Sequence, residues 1–205
     1  MTLPARKLGV PERRPLALHD RAMDNLRYIR ETMERSGSFT HVSGIGGVVM
    51  GLVALVAAFI ARSMAGDLEW LAVWIVAAGI CLAVAAGSMA RKSRAEGVSL
   101  LSGPGRKFLW SVTPSLVAGA VLTLVLAQAD ATGLLPGIWL LLYGSAVVTG
   151  GSHSVRPVPL MGVAFMVAGA AALLSPAGWG DIYMAAGFGG LHILFGIVIW
   201  RKHGG

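Results

Sequence analysis

One histidine stands inside an apolar run, His192 within GFGGLHILFG, and it is the residue of this chain with the clearest capacity for chemistry. Neutral imidazole is the commonest metal ligand, and Gly187, Gly189 and Gly190 leave room beside it for a flat ligand. His192 is therefore the cofactor-binding candidate, for haem, chlorin or quinone. The other reading is a histidine hydrogen-bonded to a neighbouring helix, for instance to Tyr143 or Ser145. His41 and His153 fall near the edge of the apolar segments, so no second histidine stands at the depth of His192 to complete a bis-histidine site. The structural reading is the stronger, and no cofactor is predicted.

Other chemistry has little to work with. His19, His41, His153, His192 and His203 show no metal-ligand spacing, and neither GxSxG nor HExxH occurs. SGPGRK at 102–107 lacks the spacing and the Lys-Ser/Thr ending of a phosphate-binding loop. A lone cysteine, Cys81, excludes disulfides and multi-cysteine metal sites and reads as a small packing residue. No catalytic residue and no metal site are predicted. A polar route is the remaining candidate. Ser111, Thr113 and Ser115 surround Pro114, which frees a backbone carbonyl, as in the broken helices that bind ions in some transporters; a simple kink is the alternative. Arg156, between prolines in SHSVRPVP, could receive a phosphate or carboxylate, although topology alone explains a base there.

The elements that must position these residues follow from composition. The chain has 205 residues, 55% hydrophobic and 13% charged, with a mean hydropathy of +0.70. Soluble domains carry roughly 25% charged residues, so there is too little charge to cover a water-facing surface. Six apolar runs follow a polar start: 44–61, 68–90, 108–129, 134–151, 158–175 and 182–200. Each is near the roughly 17 to 25 residues that cross about 30 Å of hydrocarbon. The expected fold is all-α, a polytopic membrane bundle of six transmembrane helices in three hairpins, preceded by a short amphipathic cytoplasmic helix. Residues 1–42 form the N-terminal tail and that helix, 43–200 the membrane domain, and 201–205 a C-terminal tail.

Charge sets the orientation. Arg62 is the one base among the outer connections, beside Asp67, Glu69, Asp130 and Asp181, and the other 16 of the 17 basic residues fall on the opposite side. Basic residues mark the cytoplasmic side, so both termini are expected in the cytoplasm. A net charge of +7 is then orientation rather than nucleic-acid binding. The bilayer is the first partner, and no nucleic-acid partner is predicted.

Small residues would hold the bundle together, because helices in lipid associate through close backbone approach. Gly47 with Gly51, the stripe Gly79, Ala83 and Gly87, and Ala186 with Gly190 are the expected contact positions. An aromatic residue followed five positions later by glycine, Trp74 to Gly79 and Trp139 to Gly144, hints at repeated hairpins. Ahead of the spans, residues 20–35 place Ala22, Leu26, Ile29 and Met33 on one helical face. Asp20 can cap this helix, Gly37 can end it, and Arg27 with Glu31, Arg30 with Glu34 and Glu31 with Arg35 form i,i+4 pairs. Its four acids balance its four bases, so it is not the polybasic kind that anionic lipid attracts. A protein partner or a second copy in a homo-oligomer fits that stripe better than headgroups do, the bland alternative being an interfacial lead-in.

Three long stretches carry a resemblance. LRYIRETMERSGSFT near the start, SVRPVPLMGVAFM at 154–166 and GFGGLHILFG near the end resemble a family of uncharacterised bacterial six-span integral membrane proteins. The resemblance implies a bacterial inner-membrane protein and transfers no activity, cofactor or site. The expected function is a non-enzymatic membrane subunit or regulator presenting the amphipathic helix to a partner. The alternatives are a small transporter or channel component, and a redox subunit binding haem, chlorin or quinone through His192.

Overall fold

The computed structural model describes residues 16–36, 42–95, 97, 103–152 and 154–203. Every regular element among the described residues is helical. The chain divides into two compact units, Met1–Ser36 and Gly37–Gly205.

The first unit contributes α1 (Leu16–Ser36). Leu16, Ala17 and Leu18 are compatible with helix, so α1 begins ahead of Asp20, which lies inside the helix and does not cap it. The first turn holds no acid. Leu26, Ile29 and Met33 are 61%, 52% and 68% exposed, and Met23 and Tyr28 widen the exposed apolar surface. The side chains of Arg30, Glu31, Glu34 and Arg35, and with them the expected i,i+4 pairs, lie outside the described residues. So do the tail 1–15, Gly37, His41 and His153.

The second unit comprises α2 (Gly44–Ala61), α3 (Asp67–Ala95), α4 (Gly103–Gln128), α5 (Leu135–Gly151), α6 (Pro157–Leu174) and α7 (Gly180–His203), and all six are long and apolar enough to cross a membrane. The chain is thus a multi-pass, all-helical membrane protein with six candidate spans. Its 29 residues make α3 about 43 Å long at 1.5 Å per residue, well beyond the hydrocarbon thickness. Part of the excess is residues 91–95, where Arg91, Lys92 and Arg94 extend the helix past the expected end, Lys92 and Arg94 in the last turn lying against the negative end of its dipole. Ser43 caps α2, its hydroxyl accepting from Gly46 N at 3.1 Å. α4 closes with Asp130 in the left-handed region at φ 52°, while Ala131 N donates to Leu126 O at 2.9 Å. Asp tolerates that conformation where glycine is the usual choice.

The expected hairpin partners touch, α2 with α3, α4 with α5 and α6 with α7. The broadest seams are nevertheless α5 with α6 and α2 with α7, so the packing order is α3, α2, α7, α6, α5, α4. Glycines seven apart line both seams. A Cβ at Gly144 would stand 2.6 Å from Gly162 O, one at Gly162 2.7 Å from Gly144 O, and one at Gly169 2.8 Å from Gly137 O. In the other seam Gly44, Gly47 and Gly51 face Gly189 and Gly196, a Cβ at Gly44 falling 2.6 Å from Gly196 O. A seven-residue period keeps one face of each helix against its neighbour over several turns.

Two of the expected contact stripes are not used in this way. Among the described residues a Cβ at Gly79 or Gly87 would meet nothing within 4 Å, and one at Gly190 only Ala185 O at 4.0 Å. The stripe of α3 faces away from α2, and Gly189 rather than Gly190 enters the α2 seam. Gly79 and Gly144, paired by the apparent repeat, accordingly have different surroundings. The helices at the two ends of the order, α3 and α4, are the least buried of the six.

Candidate functional site

His192 is positioned by a change in helix type. α7 is π-helical over Ala185–Leu191 before returning to α-helical hydrogen bonding at His192. Such wider turns are rare and recur at functional positions. This one is glycine-rich at points of contact: Leu140 occupies the space a Cβ at Gly187 would need, and Leu55 the space at Gly189. His192 is 4% exposed.

Both ring nitrogens are engaged. Nδ1 lies 2.9 Å from Phe188 O and Nε2 lies 2.7 Å from Tyr143 Oη. A carbonyl only accepts, so Nδ1–H donates to Phe188, and in the neutral ring Nε2 accepts from the Tyr143 hydroxyl. The Nε2 lone pair that a metal or haem iron would take is held by Tyr143 in this arrangement. Of the two partners expected for His192, Tyr143 is the one the fold brings to it. Among the described residues no group of three His, Cys, Asp or Glu side chains could hold a metal ion.

Aromatic rings enclose the pair. Phe165 lies edge-on to His192 at 5.1 Å, Phe188 is stacked on it with an interplanar angle of 18°, and Tyr143 meets Phe165 at 4.9 Å and Phe188 at 5.2 Å. The rings continue towards the start of α3. Phe188 contacts Trp74 at 6.5 Å, Trp74 contacts Trp70 at 6.3 Å, and Trp70 stacks on Trp139 at 5.6 Å. Trp139 Nε1 donates to Thr123 Oγ1 at 2.8 Å and Trp70 Nε1 to Asp181 Oδ1 at 2.7 Å. Trp74 is 5% exposed and, among the described residues, its Nε1–H is a buried donor without an acceptor. Tilted and edge-on rings at these separations add to burial, so α3, α5, α6 and α7 are fastened together around His192.

The other candidates are scattered. Ser111 Oγ donates to Lys107 O at 2.8 Å and Thr113 Oγ1 to Leu109 O at 2.7 Å, so both hydroxyls are turned back onto their own helix. Thr149 Oγ1 of α5 reaches Ser111 O at 3.0 Å, a contact that fastens α4 to α5. Ser115 is half-buried and Arg156 is exposed just ahead of α6. None of these four lines the clefts at the opposite end of α4. The larger cleft, about 400 Å³, is lined by Asp67, Trp70, Asp130, Thr132 and Asp181 among others. Asp67 accepts from the Thr132 hydroxyl there. Read from sequence, these acids mark only the side of the membrane; that two of them tie helix ends together requires knowing which ends meet. Cys81 is half-buried, its thiol donating to Met50 O at 3.7 Å between α3 and α2, in keeping with a packing role.

The chain matches no family model, no curated protein and no solved structure.

Proposed function

We propose that this protein is a non-enzymatic membrane subunit or regulator that presents α1 to a protein partner or to a second copy of itself. The observation that carries this reading is the exposed stripe of Leu26, Ile29 and Met33 on a helix whose acids and bases balance. Leucine, isoleucine and methionine side chains contribute roughly 1.5 to 3 kcal/mol each when buried, whereas a helix of zero net charge gains little from anionic lipid. The segregation of bases further supports a cytoplasmic α1 and both termini on that side, and the three long motifs support kinship with the bacterial six-span proteins they resemble, hence an inner-membrane location.

The site inside the bundle supports a supporting role better than a catalytic or redox one. His192 is enclosed by rings and spends both nitrogens on Tyr143 and Phe188. The transporter reading draws no support from Ser111 and Thr113, whose hydroxyls are satisfied within α4.

A photoreactive residue at position 23, beside the stripe, tests the proposal in native membranes. Discrete protein adducts are expected, lost by at least tenfold when Leu26→Asp and Ile29→Asp are combined. Adducts to lipid alone, or protein adducts unchanged in the double variant, would make α1 an interfacial lead-in and remove the proposal.

A further inference from the structure

The corner where α2 begins and α3 and α7 end gathers five basic residues around one linkage. Lys92 Nζ donates to His203 O at 3.0 Å and to Val42 O at 3.5 Å, so a single ammonium spans the last turn of α3, the last turn of α7 and the residue ahead of the Ser43 cap. Arg91 and Arg94 lie within one turn of Lys92, and Arg201 and Lys202 within one turn of His203. All four are exposed. The corner is braced from below, because Gly44 and Gly47 hold α2 against the backbone of Gly196 and Trp200 in α7. Among the described residues of these three helix ends there is no Asp or Glu; Glu96, the nearest acid in sequence, lies outside them. Trp200, 52% exposed beside Arg201, is a residue type that favours the headgroup level.

We propose that this corner is a binding site for the phosphate headgroup of an anionic phospholipid of the same bilayer. Charge complementarity selects that occupant: four exposed cations on the two helix ends that Lys92 joins, in a protein whose surroundings at this level are lipid headgroups. Basic clusters between transmembrane helices take such lipids for the same reason. Arginine adds paired donors that match phosphate oxygens. Lys92, with two of its three donors committed to carbonyls, positions the corner and leaves the exposed cations to meet the lipid.

General attraction of bases to anionic membranes is the competing explanation, and the chain contains its own control. Arg106, Lys107 and Arg156 are also exposed, at the start of α4 and ahead of α6, helix ends that Lys92 does not join. The full-length protein in a neutral detergent would be mixed with dioleoylphosphatidylglycerol and dioleoylphosphatidylcholine, and the lipids retained on it counted by native mass spectrometry. The expected result is at least a tenfold preference for phosphatidylglycerol. The preference should be lost in Arg91→Gln/Arg201→Gln/Lys202→Gln and kept in Arg106→Gln/Lys107→Gln/Arg156→Gln. Arg91→Lys/Arg201→Lys, which keeps the charge, should retain most of it and checks that the corner still folds. Equal losses in the two triple variants, no preference in the wild-type protein, or displacement of the lipid by millimolar inorganic phosphate alone would overturn the proposal.

Discussion

At the scale of single residues the decisive contact is between Tyr143 and His192. A lone imidazole in an apolar run is chemically ambiguous in sequence, because the same residue serves as metal ligand or as hydrogen-bonding partner and the choice depends on what a distant helix places against it. In this structure a distant helix places Tyr143 Oη 2.7 Å from Nε2, and the Phe188 carbonyl lies against Nδ1, so both ring nitrogens are engaged. Hydrogen bonds between membrane helices contribute about 0.6 kcal/mol on average and at most about 1.7 kcal/mol. A double-mutant cycle of Tyr143→Phe and His192→Leu should therefore give a coupling in that range, read from unfolding in detergent or bicelles. A coupling indistinguishable from zero would mean that the two rings are neighbours without a mutually stabilising bond.

At the scale of elements the glycines decide which helices meet. Gly144 and Gly162 have no room for a side chain, since a Cβ at either would press on the backbone of the other helix, whereas Gly79 faces open space. Gly144→Leu should cost about 1 to 3 kcal/mol or more through overpacking. Gly79→Leu should stay within about 0.5 kcal/mol of the parent. Thermal unfolding monitored by loss of monodisperse protein separates them, and equal effects would refute the assigned seams. Helix number was readable because each span announces itself by length and hydropathy over many residues. Helix neighbours were not. Glycine pairs four apart, such as Gly47 and Gly51, point to a true seam in α2, but the same spacing in α3 points to a face with no neighbour among the described residues. The better signal was a seven-residue spacing, Gly137 to Gly144 to Gly151 and Gly189 to Gly196, which follows the helix crossing through several turns. In α7 the π-helical stretch shifts the register locally, so Gly189 rather than Gly190 meets α2, and spacing rules for an unbroken α-helix miss the difference.

At the scale of the whole molecule, the proposals for α1 and for the basic corner share one requirement: the chain must cross the membrane six times with both ends on the basic side. Six helices of sufficient length and apolarity are present, and the direction proposed for them rests on the charge asymmetry, 16 of the 17 bases falling on one side. Reporter fusions placed along the chain in bacterial cells test this requirement most directly. Fusions after Ala65, Ala131 and Gly178 are expected to report the outside, and fusions after Glu96 and Gly204 the inside. An inside signal after Ala131, or an outside signal after Gly204, would contradict the six-span arrangement and with it the cytoplasmic placement of α1.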